Sequence, residues 1–121
     1  PAAAFHRGAC PDRSAIEDQH FDVVVLNAVV HFAPDRAAWR DWCDSACQRL
    51  APEGLFFVRC SSRLALPDAR PPGFGYLADA ADFAAIEARW SLTRIDPLKT
   101  VLVEELRTMS TWVTRRTEGA D

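Results

Sequence analysis

The sequence predicts an α/β domain: an open, mainly parallel sheet with helices on its faces and an antiparallel hairpin at its end. Three observations carry this reading. Val23-Val24-Val25-Leu26 is an unbroken, mostly β-branched apolar run, and such runs mark strands covered on both faces rather than strands with one side to water. A second run, Leu55-Phe56-Phe57-Val58, follows Pro52-Glu53-Gly54, with a helical stretch between the two runs. Strand–helix–strand units of this kind make parallel neighbours through a right-handed crossover, and open α/β sheets hold ligands above the carboxyl ends of their strands. Finally, residues 91–103 and 107–115 read as two strands turned by Glu104-Glu105-Leu106, which predicts the hairpin.

Taken in order, residues 2–9 read as a short strand and 11–20 as a polar loop. The spacing predicts a helix over 34–50. Pro34 and Asp35 suit its start, because the proline lacks an N–H that would go unpaired there and a carboxylate meets the positive dipole end. Trp39, Trp42, Cys43, Ala46, Cys47 and Leu50 recur at helical spacing, with Arg36, Arg40, Asp41, Asp44 and Gln48 mainly on the other side. Both tryptophans are expected in the core, and Ala51-Pro52-Glu53-Gly54 is expected to end the helix in a turn. Residues 61–77 carry Pro67, Pro71, Pro72, Gly73 and Gly75, which break regular structure. A loop so placed, above the end of a strand, suits substrate recognition. A second helix is expected over 79–90, capped by Asp79, with Phe83, Ile86 and Trp90 on one face.

Composition narrows the function classes. The 121 residues suit one domain, and 49% hydrophobic with 26% charged residues is ordinary for a globular protein. The net charge of −3 and the scatter of 13 arginines and Lys99 give no basic stripe of the kind nucleic-acid binding shows. No apolar run approaches the ~20 residues of a membrane helix and no secretory signal is visible, so no membrane partner and a cytoplasmic location are expected. Cys43 and Cys47 stand four apart on the predicted helix, but without a CxxC or HxxxH companion they read as small packed thiols; no metal site is expected.

The residues from 21 to 54 carry a resemblance. Phe21-Asp22 entering an apolar strand, Asn27 to Phe32 leaving it, and Arg49-Leu50-Ala51-Pro52-Glu53-Gly54 before the next strand resemble the class I S-adenosylmethionine-dependent methyltransferases, a Rossmann-like family. That family has FD at its fourth strand and an R-L-x-P-G-G turn before its fifth; Glu53 here stands where the first glycine of the turn would be. The closing order of helix and two strands is similar as well, so the resemblance covers nearly the whole chain. It implies that residues 1–121 form the carboxyl-terminal part of a larger methyltransferase domain. The five glycines, Gly8, Gly54, Gly73, Gly75 and Gly119, include no G-x-G-x-G after a strand. Gly73-Phe74-Gly75 has no strand before it and reads as a turn.

The same resemblance implies the site. S-adenosylmethionine would be the cofactor, with Gly8, Ala9 and Cys10 on the adenine side and Asn27, Ala28 and Val29 near its methionine end. Cys10 leaves that turn without an acidic residue unless Asp12 serves. A histidine side chain titrates near neutral pH, so His31 is the candidate to accept a proton from the acceptor; its other reading is a packing residue. Arg59 and Arg63 flank the end of the second strand, where arginines clamp carboxylates, or stand there as solvated or structural residues. Asn27-Ala28-Val29-Val30 differs from the Asn/Asp-Pro-Pro-aromatic turn of enzymes that methylate nucleobase amino groups, which favours a small-molecule acceptor. Three readings remain: part of a methyltransferase that is inactive by itself, a non-enzymatic interaction module that self-associates through an exposed sheet edge, and another α/β nucleotide-binding domain that only looks like the family.

Overall fold

A computed structural model describes residues 20–64, 73–103 and 107–117. The expected strand at 2–9, with Gly8, Ala9 and Cys10, and the turn at 104–106 lie outside the described residues.

β1 (Phe21–Asn27) and β2 (Leu50–Ser62) are parallel neighbours joined through α1 (Arg36–Gln48). α1 begins later than the sequence suggests: Pro34 precedes it, and Asp35 caps it by accepting the Ala38 N–H at 2.8 Å. It also ends earlier, because Leu50 already belongs to β2. Phe21 pairs with Leu50 but Val23 pairs with Leu55. The turn expected at 51–54 is therefore an irregularity inside β2, with Glu53 held at φ 64. From Val23 to Asn27 the register then runs evenly against Leu55 to Arg59.

α2 (Ala80–Trp90) starts with a reciprocal cap. Asp79 accepts from the Asp82 N–H, and the Asp82 side chain accepts from the Asp79 N–H. Beyond it come β3 (Leu92–Arg94), β4 (Lys99–Val103) and β5 (Arg107–Arg116). The single strand expected over 91–103 is thus two short ones. Pro97 falls between them, and a proline has no N–H to give to a ladder. Both pieces pair antiparallel with β5, β3 near its end and β4 near its start.

β5 also lies antiparallel against β2, from Leu55↔Arg115 to Ser62↔Thr108. The sheet order is β1-β2-β5-β3, with β4 beside β5. Among the described strands one pairing is parallel and three are antiparallel; the expected strand at 2–9 is not among them. The α/β class and the inserted antiparallel β5 stand as the sequence predicts.

The core lies between the two helices and the sheet face that presents Val24, Leu26, Phe56, Val58, Cys60 and Trp112. Trp112 is its centre, with ring centroids 4.9 Å from Phe83, 5.4 Å from Phe56 and 6.4 Å from Trp39. Trp39 is fully buried and Trp42 is partly buried against the same cluster. The opposite face differs from expectation. Val23 and Val25 are each 53% exposed, so β1 is not covered on both faces.

Candidate functional site

The carboxyl ends of β1 and β2 meet at one place. Asn27 is the exposed last residue of β1 and lies opposite Arg59; cross-strand partners project from the same face. Ala28 then turns the chain sharply at φ 58, its N–H donating to the Arg59 carbonyl at 2.8 Å. A residue with a β-carbon holds that left-handed conformation at a cost of about 1 kcal/mol, and such strain gathers at functional turns. Val29 leads on into a single 3-10 turn, Val30–Phe32.

His31 sits inside that turn and is almost fully buried. Its Nδ1 accepts the Ser61 backbone N–H at 2.9 Å, and its carbonyl accepts the Gly75 N–H at 2.8 Å. An imidazole whose Nδ1 accepts a hydrogen bond carries its proton on Nε2. The ring also stacks on Phe74 at 4.3 Å and meets the Phe32 edge at 4.5 Å. In this geometry His31 fastens β1, β2 and the 73–76 loop together. Accepting a proton at Nδ1 would first require release of Ser61.

The loop is held by close backbone approach. Tyr76 N–H donates to Ala33 O at 2.7 Å, and a β-carbon at Gly75 would overlap that same carbonyl. The Gly73-Phe74-Gly75 turn therefore packs on the 3-10 turn, with Gly73 at φ 86. Tyr76 lies next to Arg63, which follows β2; the Arg63 guanidinium carbon is 5.7 Å from the Tyr76 ring centroid. Thus Asn27, Ala28, Val29, His31, Arg59 and Arg63 all stand at the same end of the sheet.

A network that the sequence did not announce borders this end. Asp82, with no exposed surface, accepts from the Tyr76 hydroxyl, from Arg40 Nε at 2.9 Å and from the Asp79 N–H. Arg36 donates to the Tyr76 oxygen at 2.9 Å and lies 3.6 Å from Asp79. Burial alone would push the Asp82 carboxyl up. The hydrogen bonds from Tyr76, the Asp79 backbone and Arg40, with the Arg40 charge, outweigh burial and hold it below the usual carboxylate range. Burial and the bond to Asp82 push the Tyr76 hydroxyl up. The one visible sequence signal was the Asp79-x-x-Asp82 spacing, which reads as a cap.

Three cysteines lie among the described residues. Cys43, Cys47 and Cys60 are buried free thiols, and burial pushes Cys47 and Cys60 up to about 12, Asp44 adding to it at Cys47. Thiols so shifted are not thiolates near neutral pH. Among the described residues no His/Cys/Asp/Glu group could hold a metal, and no helix is long and apolar enough to cross a membrane.

No protein-family model and no curated protein matches this chain. Solved structures do. An O-methyltransferase family protein from Burkholderia thailandensis matches with TM-score 0.65 and 17% identity, over 96% of this chain and 36% of that one. The N-methyltransferase NodS from Bradyrhizobium japonicum WM9, in complex with S-adenosyl-L-homocysteine, matches with TM-score 0.61 and 22% identity, over 84% of this chain and 48% of NodS. The chain therefore spans less than half the length of either. What it shares with them is the architecture: a parallel pair, an inserted antiparallel strand and flanking helices. This chain has a class I methyltransferase-like fold, covering part of the length of such proteins.

Proposed function

We propose that this chain forms the acceptor-side part of a domain that transfers a methyl group from S-adenosylmethionine to a small-molecule acceptor. The observation that carries the proposal is the left-handed turn at Ala28, which ends β1 abruptly and leaves the Asn27 amide exposed beside Arg59. The S-adenosyl-L-homocysteine held by NodS supports the choice of cofactor. The residues present fit such a cofactor on one side. Asn27 and the backbone of Ala28 and Val29 suit its methionine end, while the described residues include no glycine-rich loop after a strand. When bound, the cofactor supplies an electrophilic methyl group on a sulfonium.

Methyl transfer demands mainly that the reacting groups be held in line. Asn27 would orient the acceptor or the cofactor through its amide. His31 would act as a positioning residue, keeping the two strand ends and the Phe74 loop in register. Phe32, half exposed beside Phe74, would keep water from the acceptor. The Asn27-Ala28-Val29-Val30 turn and the net charge of −3 favour a small molecule over nucleic acid.

The test starts with the reading frame upstream of Pro1, where a strand followed by G-x-G-x-G is expected. Calorimetry on the chain extended through that loop should give about micromolar affinity for S-adenosylhomocysteine, weakened roughly tenfold by Asn27→Ala; the 121-residue chain alone should bind no tighter than about millimolar. An upstream frame without the loop, or an extended chain that does not bind, would overturn the proposal.

The exposed Val23 and Val25 favour a second reading, a non-enzymatic module that self-associates through the β1 side of the sheet. Micromolar binding by the extended chain would reject it. Concentration-dependent sedimentation without any cofactor binding would favour it.

A further inference from the structure

Among the described residues Arg63 is a cation without a counter-ion. It follows the last residue of β2 and is only partly exposed. Its backbone N–H donates to Ala78 O at 2.8 Å, which fixes where the side chain starts. Its guanidinium lies over the Tyr76 ring, yet its buried Nε has no hydrogen-bond partner and no carboxylate of the described residues pairs with it. The other charges nearby are already matched. Arg36 and Arg40 share Asp79 and Asp82 between them, and no ion pair among the described residues includes Arg63. A half-buried arginine with an unsatisfied N–H is costly unless something anionic completes it.

Its place in the fold says what could do so. Ser61, two residues before Arg63, donates to His31, and Tyr76 beneath the guanidinium is bonded to Ala33 next to the Phe32 ring. Arg63 thus borders the end of the sheet where Asn27 stands. Arg59, by contrast, is an exposed residue paired across from Asn27. Of the two arginines only Arg63 is braced by a ring of the described residues, with its guanidinium carbon 5.7 Å from the Tyr76 centroid.

We infer that Arg63 is a carboxylate-binding subsite, and that the methyl acceptor is a small carboxylic acid anchored there by its anionic group. This identification of the acceptor rests on the methyltransferase reading above; the carboxylate subsite itself does not. Guanidinium suits the role because its planar fork pairs two N–H groups with two carboxylate oxygens, and the Tyr76 ring keeps the fork from turning away.

The experiment is a titration of the 121-residue chain with benzoate, and separately with benzamide as its neutral counterpart, following the Arg63 Nε–H signal by ¹⁵N–¹H NMR. Benzoate should move that signal saturably at millimolar concentration, and benzamide should leave it in place. Arg63→Lys keeps the charge but loses the fork, and should weaken benzoate binding about tenfold or less. Arg63→Gln should abolish it, with the remaining spectrum unchanged as a check on folding. No movement of the Arg63 signal up to about 50 mM benzoate, an equal response to benzamide, or the same saturable benzoate response elsewhere in Arg63→Gln would each overturn the subsite. Because no cofactor is present, the outcome separates from that of the methyltransferase test. A failed titration leaves methyl transfer to a neutral acceptor standing, and a successful one beside a missing upstream loop leaves an anion site on a non-enzymatic module.

Discussion

On one face of the sheet Phe56, Val58 and Trp112 are completely buried beneath α1 and α2; on the other, Val23 and Val25 of the adjoining strand keep 53% of their surface exposed. The residues are of similar apolar character, so composition does not make the difference. The helices do, because both pack on the same side. The finished face has rings meeting edge to plane, with Trp112 at 77° to Phe83 and 70° to Phe56. The open face has valines suited to a cover that the described residues do not supply. One sheet therefore combines a complete core with an apolar surface of the kind that marks interaction.

The largest expected effect breaks the finished face. Trp112→Ala removes the ring that Phe56, Phe83 and Trp39 all touch, and leaves Glu87 without the indole N–H at 2.9 Å. A cost of about 4 kcal/mol follows from cavity formation at a large buried aromatic, a large part of the stability of a small domain. Urea denaturation followed by circular dichroism would measure it. A cost below about 1 kcal/mol would show that the aromatic cluster is not the core.

Next comes the charge network at the edge of that face. Asp82→Asn keeps the shape but gives up charged hydrogen bonds from Tyr76 and Arg40, and should cost about 2 kcal/mol at neutral pH. The sign of its pH dependence follows from the direction of the shift. The folded Asp82 carboxyl titrates below its unfolded value, so its contribution is fully present above about 3.9 and is lost as pH falls through the lower folded value. The wild type should therefore lose stability more steeply than Asp82→Asn as pH drops below about 4. Parallel pH profiles for the two proteins would contradict the assignment.

Legibility followed the range of the interactions. The parallel pair, α1, α2 and β5 were readable because each rests on a local run: VVVL, the Trp39-to-Cys47 spacing, the Asp79 cap and the alternation around Trp112. The break between β3 and β4 was missed because residues 91–103 were read as one strand straight across Pro97. At the site, the meeting of Asn27, His31 and Arg63 was legible from order along the chain. The partners were not. His31 bonds to Ser61 thirty residues away, and Arg40 reaches Asp82 across forty-two; only the completed fold brings such pairs together. The exposure of Val23 and Val25 was misread for a related reason, since a run of valines shows that a strand favours cover, not that cover is present.

A smaller effect, of opposite sign, lies in the irregularity of β2. Glu53 occupies a left-handed conformation at φ 64, where a β-carbon is unfavourable and glycine is not. Arg115 donates to the Glu53 carbonyl at 2.7 Å, and a substitution retains that backbone acceptor. Glu53→Gly should therefore raise stability, by about 0.5–1 kcal/mol once the greater freedom of glycine in the unfolded chain is subtracted. A denaturation midpoint that falls would show that the Glu53 side chain contributes more than its conformation costs.

The smallest change in stability is expected on the open face, and there it is the most informative. Val25 points away from the core while its neighbour Val24 packs toward it, because successive side chains of a strand alternate. Val25→Thr replaces an exposed methyl by a hydroxyl that water can solvate, so stability should change by less than about 0.5 kcal/mol. Val24→Thr places the same hydroxyl against the cluster and should cost clearly more, about 1 kcal/mol or above. Association should respond in the opposite order. If the open face mediates contacts between copies of this chain, sedimentation velocity will show a lower mean mass for Val25→Thr at high concentration and little change for Val24→Thr beyond what unfolding accounts for. Equal stability losses for the two variants would mean that Val25 is covered in solution. Equal association would mean that the β1 side of the sheet is not where copies meet, and that the apolar face is left for some other partner.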